Sequence, residues 1–392
     1  MPYEFSSDYN PFLGALSTRL LKLSPPLLHR YLIRSAIDLG RREVEIWFKT
    51  SGCQYFIRGG CTMCNYGYSR RVTSQDMIAS IAEAIVESDL KPEDKLLITP
   101  SGSMFDPSEV PPEAFVGIMQ IIRDYETYSF KCETQARYVT CAKLEEYRKL
   151  LEDRHLYIVA ALESSNAWIR RNCLNKDLPT QVFLDAIHAA KSTNVAFSTD
   201  ILLGAPFLSE RESIEDATAS VKWVLSKGVD ECYLFPVHVK IGTITHWLWE
   251  HGRFTPPSLW SLVEVLGRFG SQDLAKISVA WHKSYYVNQA IPSKKQQRIP
   301  FTCVKCYDRV IELLDQFVAT RSREVIDLLQ DLTCECRDSW WKRVNVTPEG
   351  SLPQRLRSDL QMMGREICGE EWQERNMELL SEMLESRQSD WS

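Results

Sequence analysis

The chain has 392 residues, of which 44% are apolar and 25% charged, with 17 glycines and 18 prolines. These ordinary globular proportions exclude a disordered, collagenous or low-complexity chain. Lys and Arg number 46 against 52 Asp and Glu, a net charge of −6, which makes the chain a poor unaided grip for a phosphate backbone.

Residues 1–42 read as an N-terminal helical segment in which Pro25-Pro26 separates two helical runs. From Glu43 the text alternates. Strand patterns at EVEIWFK (43–49), KLLITP (95–100), SFKCETQ (129–135), HLYIVAALES (155–164), VAFSTDILLG (195–204) and CYLFPVHVK (232–240) are each followed by apolar residues at helical spacing. The helical patterns are 74–89, 112–125, 142–153, 180–194, 213–228 and 257–269. Strand–helix pairs in series predict a parallel sheet with helical crossovers, each right-handed. The continuous apolar runs predict strands buried on both faces. Residues 43–272 thus form an α/β domain, either an open doubly wound sheet or an incomplete barrel. Beyond it come an extension (273–345) with a short strand KISVAWH (276–282), a polar loop KKQQR (294–298) and a helix over Tyr307–Val318, then a charged helical tail (346–392). Residues 370–388 of the tail read as a solvated amphipathic helix.

No apolar run reaches the roughly 18 residues that span a membrane. The N-terminus lacks the basic-then-apolar layout of a secretory signal, so the chain is expected in the cytoplasm. Its 12 cysteines are then ligands, nucleophiles or core residues rather than a disulfide framework. Cys53, Cys61 and Cys64 share one glycine-rich loop directly after the first strand of the α/β domain, at the strand end where such folds build ligand sites. Three thiolates with no fourth nearby suit a cube-shaped iron–sulfur cluster with one iron left open, whereas structural zinc takes four protein ligands. The plainer readings are a zinc half-site completed from elsewhere, or buried thiols. Cys132, Cys141, Cys173, Cys232 and Cys368 have no paired spacing and read as core or surface thiols.

The loop TSGCQYFIRGGCTMCNYG (50–67) resembles the cluster loop of the radical S-adenosylmethionine (SAM) superfamily. Its wording is closest to the archaeosine-forming radical SAM enzymes, relatives of the elongator catalytic subunit. The phrases SGSMFDPSEVP (101–111), LESSNAWIRRNCLNKDLPTQVFLDA (162–186), LLGAPFLSERESIEDATASV (202–221) and GRFTPPSLWSLVEVL (252–266) agree in order. The resemblance covers about residues 43–345 and implies a partial (β/α)6 TIM-like barrel. It also implies a 4Fe–4S cluster on Cys53, Cys61 and Cys64, whose open iron binds the amino and carboxylate groups of SAM. One-electron reduction then gives a 5′-deoxyadenosyl radical that abstracts substrate hydrogen. By the same resemblance Ser101, Gly102, Ser103 and Asp106 meet the methionine end of SAM. Glu133, Glu163 and Ser164 hold its ribose and amino group, while Gly204-Ala205-Pro206 and Tyr66 pack the adenine. On their own, Ser101–Ser103 read equally as a strand-to-helix turn, Asp106 as a helix N-cap and Glu163 as a turn cap. A carboxylate directly after an apolar strand nevertheless needs a partner.

Cys303 and Cys306, then Cys334 and Cys336, form two close pairs, a full set for a tetrahedral zinc or an auxiliary 4Fe–4S cluster. The archaeosine-type relatives act on a lysine-bearing 7-deazaguanine in tRNA, cleaving a C–N bond to leave an amidine, and work with a partner subunit; a flavodoxin- or ferredoxin-type reductant is implied. Phe301 and Thr302 before Cys303, and Asn65 after the first loop, depart from that pattern. Together with the acidic charge they favour a second reading, a tailoring enzyme for a small nucleoside or sugar, with sulfur insertion from the auxiliary cluster. A third is a zinc-binding adaptor on a degenerate barrel. Basic pairs at Arg70-Arg71, Arg170-Arg171 and Lys294-Lys295 with Arg298 are either a tRNA footing or a solvated face.

Overall fold

The computed structural model describes residues 9–24, 29–67, 72–152, 154–283 and 298–385. Eight strands form one sheet in chain order: β1 (Tyr31–Asp38), β2 (Arg41–Phe48), β3 (Lys95–Pro100), β4 (Ser129–Glu133), β5 (His155–Val159), β6 (Ala196–Leu203), β7 (Glu231–Pro236) and β8 (Ile277–Val279). β1 pairs with β2 antiparallel, and every later pair is parallel. An order that never reverses, with right-handed crossovers, puts the helices on one face and curls the sheet into a partial barrel rather than a doubly wound sheet. The fold class read from the resemblance therefore holds, with an antiparallel strand before the six strand–helix units and a short parallel one after them.

Residues 31–38 correct the expectation of a helical segment over 1–42. Leu39 (φ 49°) and Gly40 (φ 73°) make a two-residue hairpin loop with both φ positive. That turn matches the twist of paired strands and commits the residues before it to β2. Helix does form over Pro11–Leu20, capped by the Asn10 side chain on Leu13 N–H at 2.9 Å. Pro25-Pro26 lie outside the described residues, as do Arg70-Arg71 and Lys294-Lys295.

The strands are not apolar on both sides, a second correction. Val44, Ile46, Phe48, Leu96, Ile98, Phe130, Cys132, Ile158, Phe197 and Leu234 pack outward into the core beneath the helices. Their neighbours face inward, since side chains alternate along a strand. The inner face has a floor of Glu43, Lys95, Lys131 and Glu231, and a middle row of Glu45, Leu97, Glu133, Asp200 and Tyr233. The floor is sealed by ion pairs. Lys131 Nζ lies 3.0 Å from Glu43 and 2.7 Å from Glu231, and Lys95 lies 2.5 Å from Asp38, which also pairs with Arg321.

Arg321 follows the helix Tyr307–Thr320, which touches both β1 and β8 and so spans the gap between the two edges of the sheet. The tail is not solvated. Glu370–Arg375 and Met377–Glu385 are separate helices, and Leu380, Met383 and Leu384 are buried with Leu356, Leu360 and Met363 of the helix Leu352–Cys368 against Phe12 and Leu16. The period-3.6 stripe that reads as amphipathic is a core face; residues 386–388 lie outside the described part. Among the described residues no helix is long and apolar enough to cross a membrane.

Candidate active site

The cysteine loop leaves β2 and is pinned at its base, where Cys53 N–H donates to Gly67 O at 2.9 Å. A short 3-10 turn over Gln54–Arg58 ends at Gly59 (φ 103°), where a Cβ would meet the Gly14 carbonyl oxygen at 2.4 Å. Only glycine allows both the left-handed turn and that approach of the N-terminal helix. The far side of the loop is tied to residues 173–175. Thr62 Oγ1 donates to Cys173 O at 2.8 Å, Tyr55 Oη to Asn175 O at 2.7 Å, and Asn175 Nδ2 to Gly60 O at 2.8 Å. These bonds set Lys176 beside Cys61.

A cavity of about 300 Å³ opens inside the half-barrel, and Cys53, Cys61 and Cys64 all line it. Burial pushes the Cys53 thiol well up and the Cys61 thiol to about 12, the latter opposed by the Lys176 charge. Thiols so placed ionise only when a metal replaces the proton. Gln135 Nε2 reaches Cys53 Sγ at 3.9 Å.

Tyr66, Gly102, Glu133 and Glu163 also line the cavity. Glu163 sits at φ 72° just past β5 and accepts an ion-paired hydrogen bond from Lys176 at 3.1 Å. The Lys176 pKa is raised: burial works against the charge, but Glu163 and Cys61 more than offset it. Burial, then the charges of Glu45 and Glu163, lifts Glu133 to about 7.

The other expected SAM contacts turn elsewhere. Ser101 Oγ accepts Thr50 N–H at 2.9 Å, and Ser103 Oγ bonds Thr134 Oγ1 at 2.8 Å, so both hydroxyls lock the turn after β3. Asp106 accepts Ser108 N–H at 2.9 Å within a turn. Ser164 Oγ donates to Asp216 at 2.7 Å, on the helix behind the sheet. Gly204 (φ 96°) packs where a Cβ would meet Pro257 at 2.8 Å. None of these five residues, nor Ala205 and Pro206, lines the cavity.

Sequence reasoning missed Glu45, Lys176, Asp177, Asp200, Tyr233, His238, Lys240 and Trp281, all on the cavity wall. A signal existed for Glu45 and Asp200, each an acid on the inward phase of a strand. It missed Glu109 too, whose two carboxylate oxygens accept Gln54 N–H and Ser103 N–H, each at 2.6 Å, tying the cysteine loop to the turn after β3. Arg170 is no footing for tRNA. It is fully buried and donates to the carbonyls of Ser164 and Ser165 at 2.8 and 2.9 Å.

Cys303, Cys306, Cys334 and Cys336 converge: their ligand atoms all lie within 4.8 Å of one another, the single such group of His, Cys, Asp or Glu among the described residues. Sγ–Sγ distances are 3.5 Å (Cys303–Cys306), 3.6 Å (Cys303–Cys334) and 3.5 Å (Cys306–Cys336). Trp260 Nε1 donates to Cys336 at 3.2 Å. Of the unpaired cysteines, Cys132, Cys173 and Cys232 are buried, Cys368 is half-buried and Cys141 is exposed.

No family model matches the chain. It is 29% identical over 309 residues, 78% of this chain and 86% of the relative, to the archaeosine synthase subunit beta of Methanosarcina acetivorans. It is 29% identical over 307 residues, 74% and 88% of the two chains, to that of Thermococcus kodakarensis. Among solved structures, methylornithine synthase aligns with a TM-score of 0.45 at 15% identity over 82% of this chain and 92% of that one. The resemblance carried by the cysteine loop and the ordered phrases is borne out: over most of its length the chain is similar to archaeosine synthase beta subunits.

Proposed function

We propose that Cys53, Cys61 and Cys64 hold a 4Fe–4S cluster with SAM beside it, and that the enzyme cleaves a C–N bond in a lysine-bearing 7-deazaguanine of tRNA, leaving an amidine. The observation that carries this reading is that the three loop thiols face one cavity without converging on a point. A single ion needs convergence of the kind seen at the second group; a bulky cluster needs the spread. When bound, the cluster and SAM supply one-electron cleavage of the sulfonium and a carbon radical that takes hydrogen from substrate. The chain's own residues bind and shield. Lys176 pairs with Glu163 at the wall, Glu133 and Tyr66 border the same space, and Gly102 brings backbone to it without a side chain. Trp47, 6.4 Å from the Tyr66 ring, backs that wall and helps exclude water.

The second cysteine group takes one zinc ion. With Zn–S of about 2.3 Å, a regular tetrahedron has S–S edges of about 3.8 Å, close to the 3.5–3.6 Å found. There it clamps the helices Tyr307–Thr320 and Glu335–Val344 beside the barrel, which favours the tRNA reading over sulfur insertion from an auxiliary cluster. A partner subunit supplies the basic surface that a chain of net charge −6 lacks, and a flavodoxin- or ferredoxin-type protein supplies the electron.

Anaerobic reconstitution should give about four irons and one zinc per chain. Dithionite and SAM should yield 5′-deoxyadenosine, and Cys61→Ala should yield none. Product from that variant overturns the cluster assignment. With a tRNA carrying the lysine-substituted base, mass spectrometry should find the amidine; 5′-deoxyadenosine without it retains the radical chemistry and overturns the substrate.

A further inference from the structure

The charges on the cavity wall are unevenly matched. Glu163 pairs with Lys176 at 3.1 Å, Asp177 with Arg137 at 3.1 Å, and Glu45 with Arg34 at 3.1 Å. The Asp200 carboxylate accepts no hydrogen bond and enters no ion pair among the described residues, yet it faces the same space. Glu163 is buried at 6% exposure, and its Oε2 has no hydrogen-bond partner. A deeply placed acid without a partner either holds its proton, as burial favours at Asp200, or takes a cation in its place.

Their depth says where that cation sits. Glu45, Asp200 and Tyr233 each stand three residues before the last residue of their strands, Phe48, Leu203 and Pro236. At about 3.3 Å per residue that is at most about 10 Å below the strand ends that carry the cysteine loop. Between that row and the loop Leu202 and Phe235 give the β6–β7 side of the wall an apolar stripe, while Thr99, Gln135 and Glu163 line the other side. Beneath it Lys131 fixes the Tyr233 hydroxyl and the ion-paired floor closes the barrel. A divalent metal does not fit, because Glu45, Glu133 and Asp200 do not gather their oxygens within 4.8 Å of one another. The site wants a monovalent cation on a slim apolar stem.

We infer that Asp200, with Glu45 in the same row, seats a primary ammonium at the inner end of the substrate, its aliphatic stem running up past Leu202 and Phe235 toward the cysteine loop. The inference rests on the proposed function for the identity of the molecule that carries the ammonium. Any aminoalkyl chain of lysine type meets the chemistry; Lys176 is bonded to Glu163 and reaches Asp200 through its charge alone.

The test compares free L-lysine with L-norleucine, which keeps the stem and replaces the ammonium by a methyl group. Calorimetric titration of the anaerobically reconstituted holoenzyme should show lysine binding about tenfold or more tighter, the scale of a charge-assisted hydrogen bond. Asp200→Asn should bring lysine down to the norleucine level and leave norleucine unchanged, which also reports that the variant is folded. Should that variant not fold, the wild-type comparison decides alone, with Glu45→Gln expected to narrow the lysine preference. Equal binding of the two amino acids, no binding of either, or a preference that survives Asp200→Asn overturns the inference. The same wild-type preparation is assayed for 5′-deoxyadenosine. Nucleoside without lysine preference sinks the ammonium seat alone, and lysine preference without nucleoside sinks the radical reading alone.

Discussion

Replacing Lys131 by Met should cost about 3–5 kcal/mol of stability, the range for breaking a buried ion pair by removing one partner. The side chain is 2% exposed, and its Nζ lies 3.0 Å from Glu43 and 2.7 Å from Glu231 with the Tyr233 hydroxyl against it. Burial opposes the ammonium charge, but Glu43, Tyr233 and Glu231 hold its pKa well above the usual lysine value. Met preserves the stem and removes the charge, leaving the buried Glu43 facing Glu231, which retains Arg321 at 3.6 Å. Taking about 4 kcal/mol and a urea slope of about 3 kcal/mol per molar, the midpoint should fall by about 1.3 M. The sign of the pH dependence follows from linkage. In the parent Glu231 is held below its ordinary pKa, so its contribution is present above the unfolded value and lost as pH falls. In the variant both carboxylates are raised and take up protons on acidification. The parent's loss lies below its unfolded value of 4.5, so between pH 8 and pH 5 the variant's proton uptake alone narrows the gap, and the deficit should be largest near pH 8 and smallest near pH 5. Lys131→Met/Glu43→Gln/Glu231→Gln, which removes the stranded charges, should recover most of the loss. Urea titrations at the two pH values decide; a deficit below about 1 kcal/mol at pH 8, or one independent of pH, refutes the reasoning.

Glu109→Ala removes the acceptor shared by Gln54 and Ser103; iron bound after reconstitution should fall to about half or less of the parent's four, with zinc unchanged, and equal iron content would show that the clamp is dispensable. Stripping the zinc with a chelator should raise hydrogen exchange in the helices 307–320 and 335–344 while the strands stay protected, because the metal ties those helices together; uniform deprotection would place the ion in the global fold instead. Glu133 is raised by burial and by Glu45 and Glu163 to about 7, so the folded apo protein binds a proton that the unfolded chain releases near pH 4.3, and stability is lost as pH climbs between those values. Glu133→Gln should therefore gain on the parent from pH 5 to pH 8 in thermal melts, and parallel profiles would contradict it.

Much of the barrel was readable because each strand–helix unit carries its own signals. The strand at 95–100 was read to the residue, and the helices begin at side-chain caps such as Thr73 with Asp76 and Ser209 with Glu212. What escaped was whatever depends on partners far along the chain. YLIRSAID has no clean alternation, and it is a strand because Leu39-Gly40 folds it back onto β2. The tail helix looks solvated until the helix Leu352–Cys368, itself packed on Pro11–Leu20, takes Leu380 and Met383 into one buried cluster. Likewise the residues expected to meet SAM divide by geometry that no phrase encodes. Gly102 and Glu163 reach the cavity, while the neighbouring Ser103 and Ser164 turn to Thr134 and Asp216.

The charged residues of the strands were legible in principle, and reading those strands as continuous apolar runs hid them. In RREVEIWF, SFKCE, AFSTDILL and ECYLFP the polar residues Glu43, Glu45, Lys131, Glu133, Ser198, Asp200, Glu231 and Tyr233 keep one phase while the apolar residues keep the other. In a curled sheet with helices outside, the polar phase can only face the barrel interior, because outward places are filled by helix contacts. An interior of that kind must either pair its charges or bind something that does. The floor takes the first course, with Lys131, Lys95 and Arg321 matched to Glu43, Glu231 and Asp38. One step higher the same alternation yields Glu45, Glu133 and Asp200 with fewer cations to meet them, and the boundary between the paired layer and the underpaired one is where this fold stops serving stability and begins to serve its ligand.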